Sequence, residues 1–393
     1  MDARNALVAS QVVEGRIDRI EVFALACEVP KGPVSTLALM PVRNGLLVRI
    51  TMDSGLTGWG EAWCNYPPKG NLAKLALFDG PIGESLLGAQ VGDWTTLRSR
   101  LEREWARMIV HTGEPGPFNH CLSAIDMAAA DLAAKAANVP LARLLSADPS
   151  GDVAVYASSP RVEDPDSLAQ RLIELGHTGV KLKVGFDAAG DKRLLERFRA
   201  GDPAGMLLGI DANQNWTRQE AAEVINLLSA HDLAFVEEPI FALDPLKDWV
   251  QVASGSPVPI AAGENITSAR QFADMVGQGG LGVVQPDVAK WGGISGAMEV
   301  GREALDQGAQ VMLHYMGTAL GLAASLHVMA ALKCDGRVEL DANPNPLRTD
   351  LGDMELRPTA GRLPVPDGAG LGFEPDPEAL RRFCVAETTV TRN

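Results

Sequence analysis

Positive charge is scarce in this chain of 393 residues: 35 lysines and arginines stand against 50 aspartates and glutamates, a formal net charge of −15. No basic cluster stands out, which argues against a nucleic-acid partner. Cysteine is scarce too. The five residues Cys27, Cys64, Cys121, Cys334 and Cys384 are odd in number and form no CxxC, so neither a disulfide framework nor a thiolate zinc site is expected. No apolar run approaches the ~18 residues of a membrane span. The opening MDARNALVASQVVEGRIDRI carries acids early and has no apolar signal core. These absences leave a soluble cytoplasmic protein, without membrane partner, as the expectation.

What is present is enough apolar sequence for a large core, at 46% hydrophobic residues. The length suits a barrel of about 200–250 residues plus a second domain. Residues 1 to about 15 read as a loose arm. RIDRIEVFALACEVP reads as a strand, and GLLVRITMDSGLTGWGEAW as a hairpin turning at Asp53-Ser54-Gly55. AIDMAAADLAAKAANVPLARLL, rich in Ala and Leu, reads as helix. Residues 1–150 are therefore expected to form an α+β unit. From about residue 153 eight β-rich segments alternate with helical stretches: VAVYAS, GVKLKVG, LLGIDAN, AFVEEP, PIAAGEN, GVVQPDV, QVMLHY and RVELDA. That alternation predicts a parallel α/β barrel over residues 151–350. A doubly wound sheet is the alternative, but no GxGxxG or GxxxxGK[ST] follows the first segment. Residues 351–393, rich in Pro and Gly, are expected to pack back on the first unit.

The C-terminal ends of these segments carry Lys181 and Lys183, Asp211 and Asn213, Glu237 and Glu238, Glu264, Asp287, His314 and Glu339, at intervals of 23 to 28 residues. One βα repeat is about this long, and the C-terminal ends of barrel strands face the active site. One acid at a strand end is ordinarily a cap or a surface ion pair. Carboxylates from successive strands converging on one axis repel unless a cation neutralises them. Asp211, Glu237 and Glu264 offer three hard oxygen ligands, a set that selects Mg2+, or Mn2+ as a substitute. Lys181 and Lys183, two apart on a strand, point to one face; their repulsion and the cation favour a neutral amine that can act as a base. Asp287 can fix the tautomer of His314 and raise its basicity. His111, His120, His177, His231 and His327 have no such context and receive no role.

Taken together, Lys-x-Lys, DANQNW, EEP, GEN, QPD, LHYMG and VELDANPNPLR resemble the enolase superfamily in its mandelate racemase subgroup, over almost the whole chain. In QPDVAKWGGIS, Asp287 stands where the muconate-lactonizing subgroup carries lysine, which favours the racemase-like subgroup; Lys290 is a weaker candidate. The resemblance implies a modified (β/α)7β barrel under an α+β cap that the C-terminal tail completes. It implies that Asp211, Glu237 and Glu264 bind one Mg2+ per subunit, and that Lys183 is the base on one face of the substrate, supported by Lys181. His314 with Asp287 serves the other face, Glu339 hydrogen-bonds the intermediate, and Asn213, Lys181 and Glu339 contact substrate. A homo-oligomer, dimer to octamer, is also implied.

The reaction so implied is abstraction of the proton α to a carboxylate, giving a metal-stabilised ene-diolate; lysine or histidine bases with magnesium are the superfamily's general arrangement. Dehydration of a hydroxylated sugar acid comes first among the outcomes, then racemisation or epimerisation of a hydroxy or amino acid, then lactone cycloisomerisation. A Schiff-base aldolase using Lys181 or Lys183 is a reading from another class, but it needs no three carboxylates. A non-catalytic binding barrel has no use for the acid, base and metal set. The segment PKGPVSTLALMPVRNG reads as an apolar lid with Lys31 and Arg43 as its charged exceptions, and Trp63 and Tyr66 are expected to help close the pocket.

Overall fold

The structure, a computed structural model, describes residues 12–392. The expected arm lies outside the described residues over 1–11. Its remainder is not loose: β-branched Val12–Val13 forms strand β1, and Val13 is buried. The chain continues with β2 (Ile17–Glu28), β3 (Val42–Met52), β4 (Thr57–Glu61) and, beyond a helical stretch, β5 (Gly92–Asp93), which pairs with β1. β3 and β4 form the hairpin around Asp53-Ser54-Gly55, with Gly55 at φ 86° closing the turn. Two long helices follow, Trp94–Thr112 and Pro115–Ala136. The second is the Ala/Leu-rich stretch, and its small side chains let it lie directly on β4. A Cβ on Gly60 would stand 1.9 Å from the carbonyl oxygen of Ala124, so glycine there is what permits the approach.

The barrel strands are β6 (Asp152–Ser158), β7 (Gly179–Lys183), β8 (Leu207–Asp211), β9 (Leu233–Glu237), β10 (Ile260–Ala262), β11 (Val283–Val284), β12 (Gln310–Leu313) and β13 (Arg337–Asp341). They pair in parallel in sequence order, and β13 returns to β6 to close the ring. Helices 165–174, 188–200, 218–228, 246–255, 269–277, 293–306 and 319–332 fill the seven intervals, so the barrel is a (β/α)7β form. Inside it, Tyr156, Phe235, Ala261, Val283 and Met312 form their own apolar cluster. Gly209 leaves room for the Phe235 ring, whose atoms would lie 2.2 Å from a Cβ there. No described helix is long and apolar enough to cross a membrane.

After the barrel, β14 (Arg362–Pro364) adds antiparallel to β6, and β15 (Cys384–Thr391) adds to β2, giving the sheet order β15-β2-β3-β4. Two buried carboxylates fasten this sheet and its helices to the barrel. Asp126 receives the Ser295 backbone N–H (2.9 Å) and hydroxyl (2.6 Å). Glu61, at the end of β4, receives Thr318 N–H (2.9 Å) and hydroxyl (2.6 Å) and Gly321 N–H (2.8 Å), capping the helix 319–332. Burial pushes Glu61 up to about 7, against the pull of those three donors.

Candidate active site

Alternation along β7 sends Val180 and Leu182 outward to the helices and Lys181 and Lys183 into the barrel. Register sets Lys183 opposite Asp211 on β8, and Asp211 opposite Glu237 on β9. Glu264 follows β10, Asp287 follows β11, His314 follows β12, and Glu339 lies within β13. The parallel ladder thus brings all these residues to one rim.

Lys183 Nζ lies 2.5 Å from Asp211 Oδ2. Lys181 Nζ lies 2.8 Å from both oxygens of Glu237, 3.0 Å from Glu339 and 3.5 Å from Asp211. Gln285 Nε2 donates to Glu237 at 2.7 Å. The Ser158 hydroxyl donates to Glu339, and Tyr315 N–H donates to it at 3.3 Å. His314 Nδ1 meets Asp287 Oδ2 at 2.6 Å, and its Nε2 turns toward Glu264 (3.4 Å) and Glu339 (3.7 Å). Asp287 is itself held by Ala289 N–H at 2.7 Å. Asn213, at φ 45°, donates its backbone N–H to Asp211 at 2.8 Å, while its Oδ1 is buried without a partner.

Lys183, Asn213, Glu264 and His314 line a cavity of about 250 Å³ under the lid; Lys181, Asp211, Glu237, Asp287 and Glu339 lie beneath its floor. Three residues of the wall were missed or underweighted in the sequence. Glu238, at φ 41°, turns inward and is held by Asn265 Nδ2 at 2.8 Å and Gln214 Nε2 at 3.1 Å. Lys290 reaches back to Glu264 (2.8 Å) and Asn265 Oδ1 (3.0 Å), its ammonium 4.5 Å from the Trp63 ring centre. Met316 lies in the LHYMG segment but received no role from the sequence. Trp63 and Tyr66 do line the cavity, 6.4 Å apart.

The charges do not balance. Asp211, Glu237, Glu238, Glu264, Asp287 and Glu339 face Lys181, Lys183, Lys290 and His314. Burial, then the charges of Glu264 and Asp211, push Glu238 up to about 8. Glu237 rises to about 7, through burial that Lys181 only partly offsets. The neutral Lys183 expected from the sequence depends on a nearby cation; the protein side chains by themselves favour the ammonium. Burial pulls its ammonium down most, but Asp211 and Glu237 together outweigh burial and the repulsion of Lys181, and hold it charged. Lys181 behaves likewise between Glu237 and Glu339. Ammonium groups stand between the expected ligands, so among the described residues no three His, Cys, Asp or Glu side chains close into an ion cage as they stand. The surplus of buried hard oxygens, with carboxyls driven up to about 7 and 8, nevertheless fits a divalent cation, which would relieve that repulsion.

Comparisons with known proteins identify the family and the fold. A family model described as enolase C-terminal domain-like matches residues 165–379, and the mandelate racemase / muconate lactonizing enzyme N-terminal domain matches residues 19–146. The chain is 30% identical over 358 residues to a D-galactarolactone cycloisomerase of Agrobacterium fabrum, covering 87% of this chain and 91% of that protein. It is 32% identical over 305 residues to an L-talarate/galactarate dehydratase of Salmonella typhimurium, covering 76% and 73%. The solved structure of a racemase from Streptomyces coelicolor A3(2) with bound magnesium superposes with a TM-score of 0.83 at 26% identity, covering 94% of this chain and 100% of that one.

Proposed function

Since the chain belongs to the mandelate racemase/muconate lactonizing enzyme family of the enolase superfamily, we propose that it removes the proton α to a substrate carboxylate with the help of one Mg2+ per subunit. Asp211, Glu237 and Glu264 are the ligands in this reading, and the bound cation supplies charge that stabilises the second negative charge developing on the carboxylate. Lys183 takes or returns the α-proton on one face. Lys181, below it, supports that amine and the substrate carboxylate. His314, held by Asp287 through Nδ1, presents Nε2 as acid or base on the other face. Glu339 in its protonated form would donate a hydrogen bond to the charged oxygen, and Asn213 offers its unpartnered amide oxygen to substrate. Residues 1–150 with 351–393 act as the cap that closes over the barrel of residues 151–350.

The observation that carries this reading is that Lys183 and His314 open into one cavity, with His314 fixed by Asp287 at 2.6 Å. The first product class is loss of a β-hydroxyl from a hydroxylated acid, because the S. typhimurium relative is named a dehydratase; the A. fabrum relative, named a lactone cycloisomerase, supports lactone cycloisomerisation as a further outcome. The presence of both groups on the same cavity also supports a second reading, proton return to the opposite face by a racemase or epimerase. A Schiff-base aldolase has less support, since both lysines are tied to carboxylates at 2.5 and 2.8 Å. The test is a carboxylic-acid library in D2O, scored for α-deuterium and for keto acid, with and without EDTA. Deuterium or keto acid that appears only with Mg2+ supports the proposal; activity untouched by EDTA, or borohydride trapping of substrate on a lysine, overturns it. Assembly into a homo-oligomer belongs to the same reading, and sedimentation showing only monomer at micromolar concentration would refute it.

A further inference from the structure

We infer that the site selects a carboxylic acid whose substituent beyond the α- and β-carbons is apolar, a branched alkyl or aryl group, and that it discriminates against polyhydroxylated diacids. The inference rests on the proton-abstraction reading above, argues against a sugar acid as its substrate, and concerns the part of the lining that takes no part in proton transfer. Besides Lys183 and His314, the same cavity is lined by the apolar side chains Val34, Leu37, Met40, Trp63 and Met316.

The two charged residues of the segment read as a lid, Lys31 and Arg43, do not enter this wall; Arg43 belongs to β3. Lys31 is exposed and turned to Glu163, 3.8 Å away. Arg43 is 1% exposed and spent on Asp341 at 2.7 Å and the Pro344 carbonyl at 3.2 Å. Of the polar side chains in the lining, Gln214 and Asn265 are engaged, which leaves the hydroxyls of Ser35 and Tyr66 and the Asn213 amide oxygen. Gln214 donates to Glu238 and accepts from Ala242 N–H at 2.8 Å; Asn265 donates to Glu238 and accepts from Lys290. Lys290, the one ammonium beyond the Lys181–Lys183 pair, is bound to Glu264 and Asn265 and faces the Trp63 ring. A second carboxylate there would thus lose its water and meet as cation only Lys290, which Asn265 and the Trp63 ring still hold when Glu264 serves the metal, and a polyol chain would find little beyond the Ser35 and Tyr66 hydroxyls. Both are costly in an apolar enclosure.

An apolar group gains there instead. Val34 and Leu37 line the cavity mouth yet remain 43% and 70% exposed. A substituent seated against them would remove that surface, and its own, from water.

The test uses the full chain loaded with Mg2+. α-Proton exchange in D2O and turnover are measured for 2-hydroxy-4-methylpentanoate and 2-hydroxy-3-phenylpropanoate, and for six-carbon polyhydroxy mono- and diacids. The expected kcat/KM for the apolar acids exceeds that for the diacids by about a hundredfold or more, the scale on which apolar pockets discriminate. Leu37→Arg places a guanidinium in the wall at an exposed position, and should raise the diacid-to-monoacid ratio of kcat/KM by about tenfold. If the polyhydroxy diacids turn over and the apolar acids do not, the inference falls and the proton-abstraction reading stands. An unchanged ratio in Leu37→Arg also overturns it, because the lid wall would not be setting the choice. If no acid exchanges its α-proton, both fall together.

Discussion

Lys183 and His314 reach the cavity from different strands, β7 and β12, and each is held by a carboxylate of its own. A substrate lying between them presents one face to each, so each residue handles the α-proton on its own side. His314→Asn should abolish turnover that needs both faces, a loss of about 10²–10⁴-fold, while Lys183 still exchanges the α-proton of one enantiomer. Lys183→Ala should leave the complementary exchange. Asp287→Asn should resemble His314→Asn, because the imidazole loses the 2.6 Å contact that fixes its tautomer. Exchange followed by NMR for each enantiomer and variant decides the point; equal loss for every substrate form in both single variants would leave only a one-base elimination. Asp211 yields a separate prediction. Asp211→Ala removes one hard ligand and strips Lys183 of its 2.5 Å partner. Magnesium affinity by calorimetry should fall, and activity with it by about 10²–10³-fold, the loss of several kcal/mol of charge stabilisation. Unchanged magnesium binding would remove Asp211 from the ligand set.

At the scale of elements, the helix 319–332 shows how a histidine without apparent context acquires a structural task. His327 is fully buried; its Nδ1 accepts from Ala142 N–H and its Nε2–H donates to the Leu371 carbonyl, each at 3.1 Å. Only the neutral ring makes both bonds, and burial pushes it down to about 4. In the unfolded chain a histidine titrates near 6.5, so between pH 6.5 and 4 the unfolded state binds more protons and stability falls as pH falls. The contribution is complete above pH 6.5 and amounts to on the order of 3 kcal/mol lost by pH 4. Denaturant unfolding at pH 7, 6 and 5 should therefore show a shallower pH slope for His327→Asn than for the parent chain; parallel slopes would deny the assignment. The sequence exposed the parts of the site that local pattern controls. Lysines at alternate positions of GVKLKVG and acids at regular strand ends contradict the apolar strands around them, and that contradiction is visible in one dimension. Glu238 was ambiguous because alternation puts neighbours on opposite faces, and only the φ of 41° brings it inward beside the buried Glu237. Arg43 was read as part of the lid because its partner, Asp341, is 298 residues away; no local pattern announces such a pairing.

Across the whole molecule, the sheet of the cap is assembled from both ends of the described chain. β2 to β4 precede the barrel, and β15 arrives only after it, pairing from Cys384↔Leu25 to Thr391↔Arg19. Arg43–Asp341, with both side chains at 1% exposure or less, and Glu61 on the helix 319–332 then tie this sheet to the barrel's last segments. The lid, residues 29–41, runs directly between β2 and β3, and its base is pinned by Val29 N–H on the Pro41 carbonyl at 2.7 Å. Order in β2 is therefore transmitted to the wall of the cavity. A chain ending at Phe383 leaves the backbone groups of β2 unpaired on one edge, and such an edge frays or seeks another strand. For that shortened chain we expect amide exchange to quicken in β2 and β3, while the barrel strands, closed on themselves through β13 and β6, keep their protection. We expect KM to rise more than kcat falls, because Lys183 and His314 stand on the barrel and only the lid loses its footing. Restoring the last strand as a separate peptide, residues 384–392, should recover both protection and KM in part. If β2 stays protected in the shortened chain and KM is unchanged, the lid is held by the barrel alone and the tail strand is dispensable for closing the site.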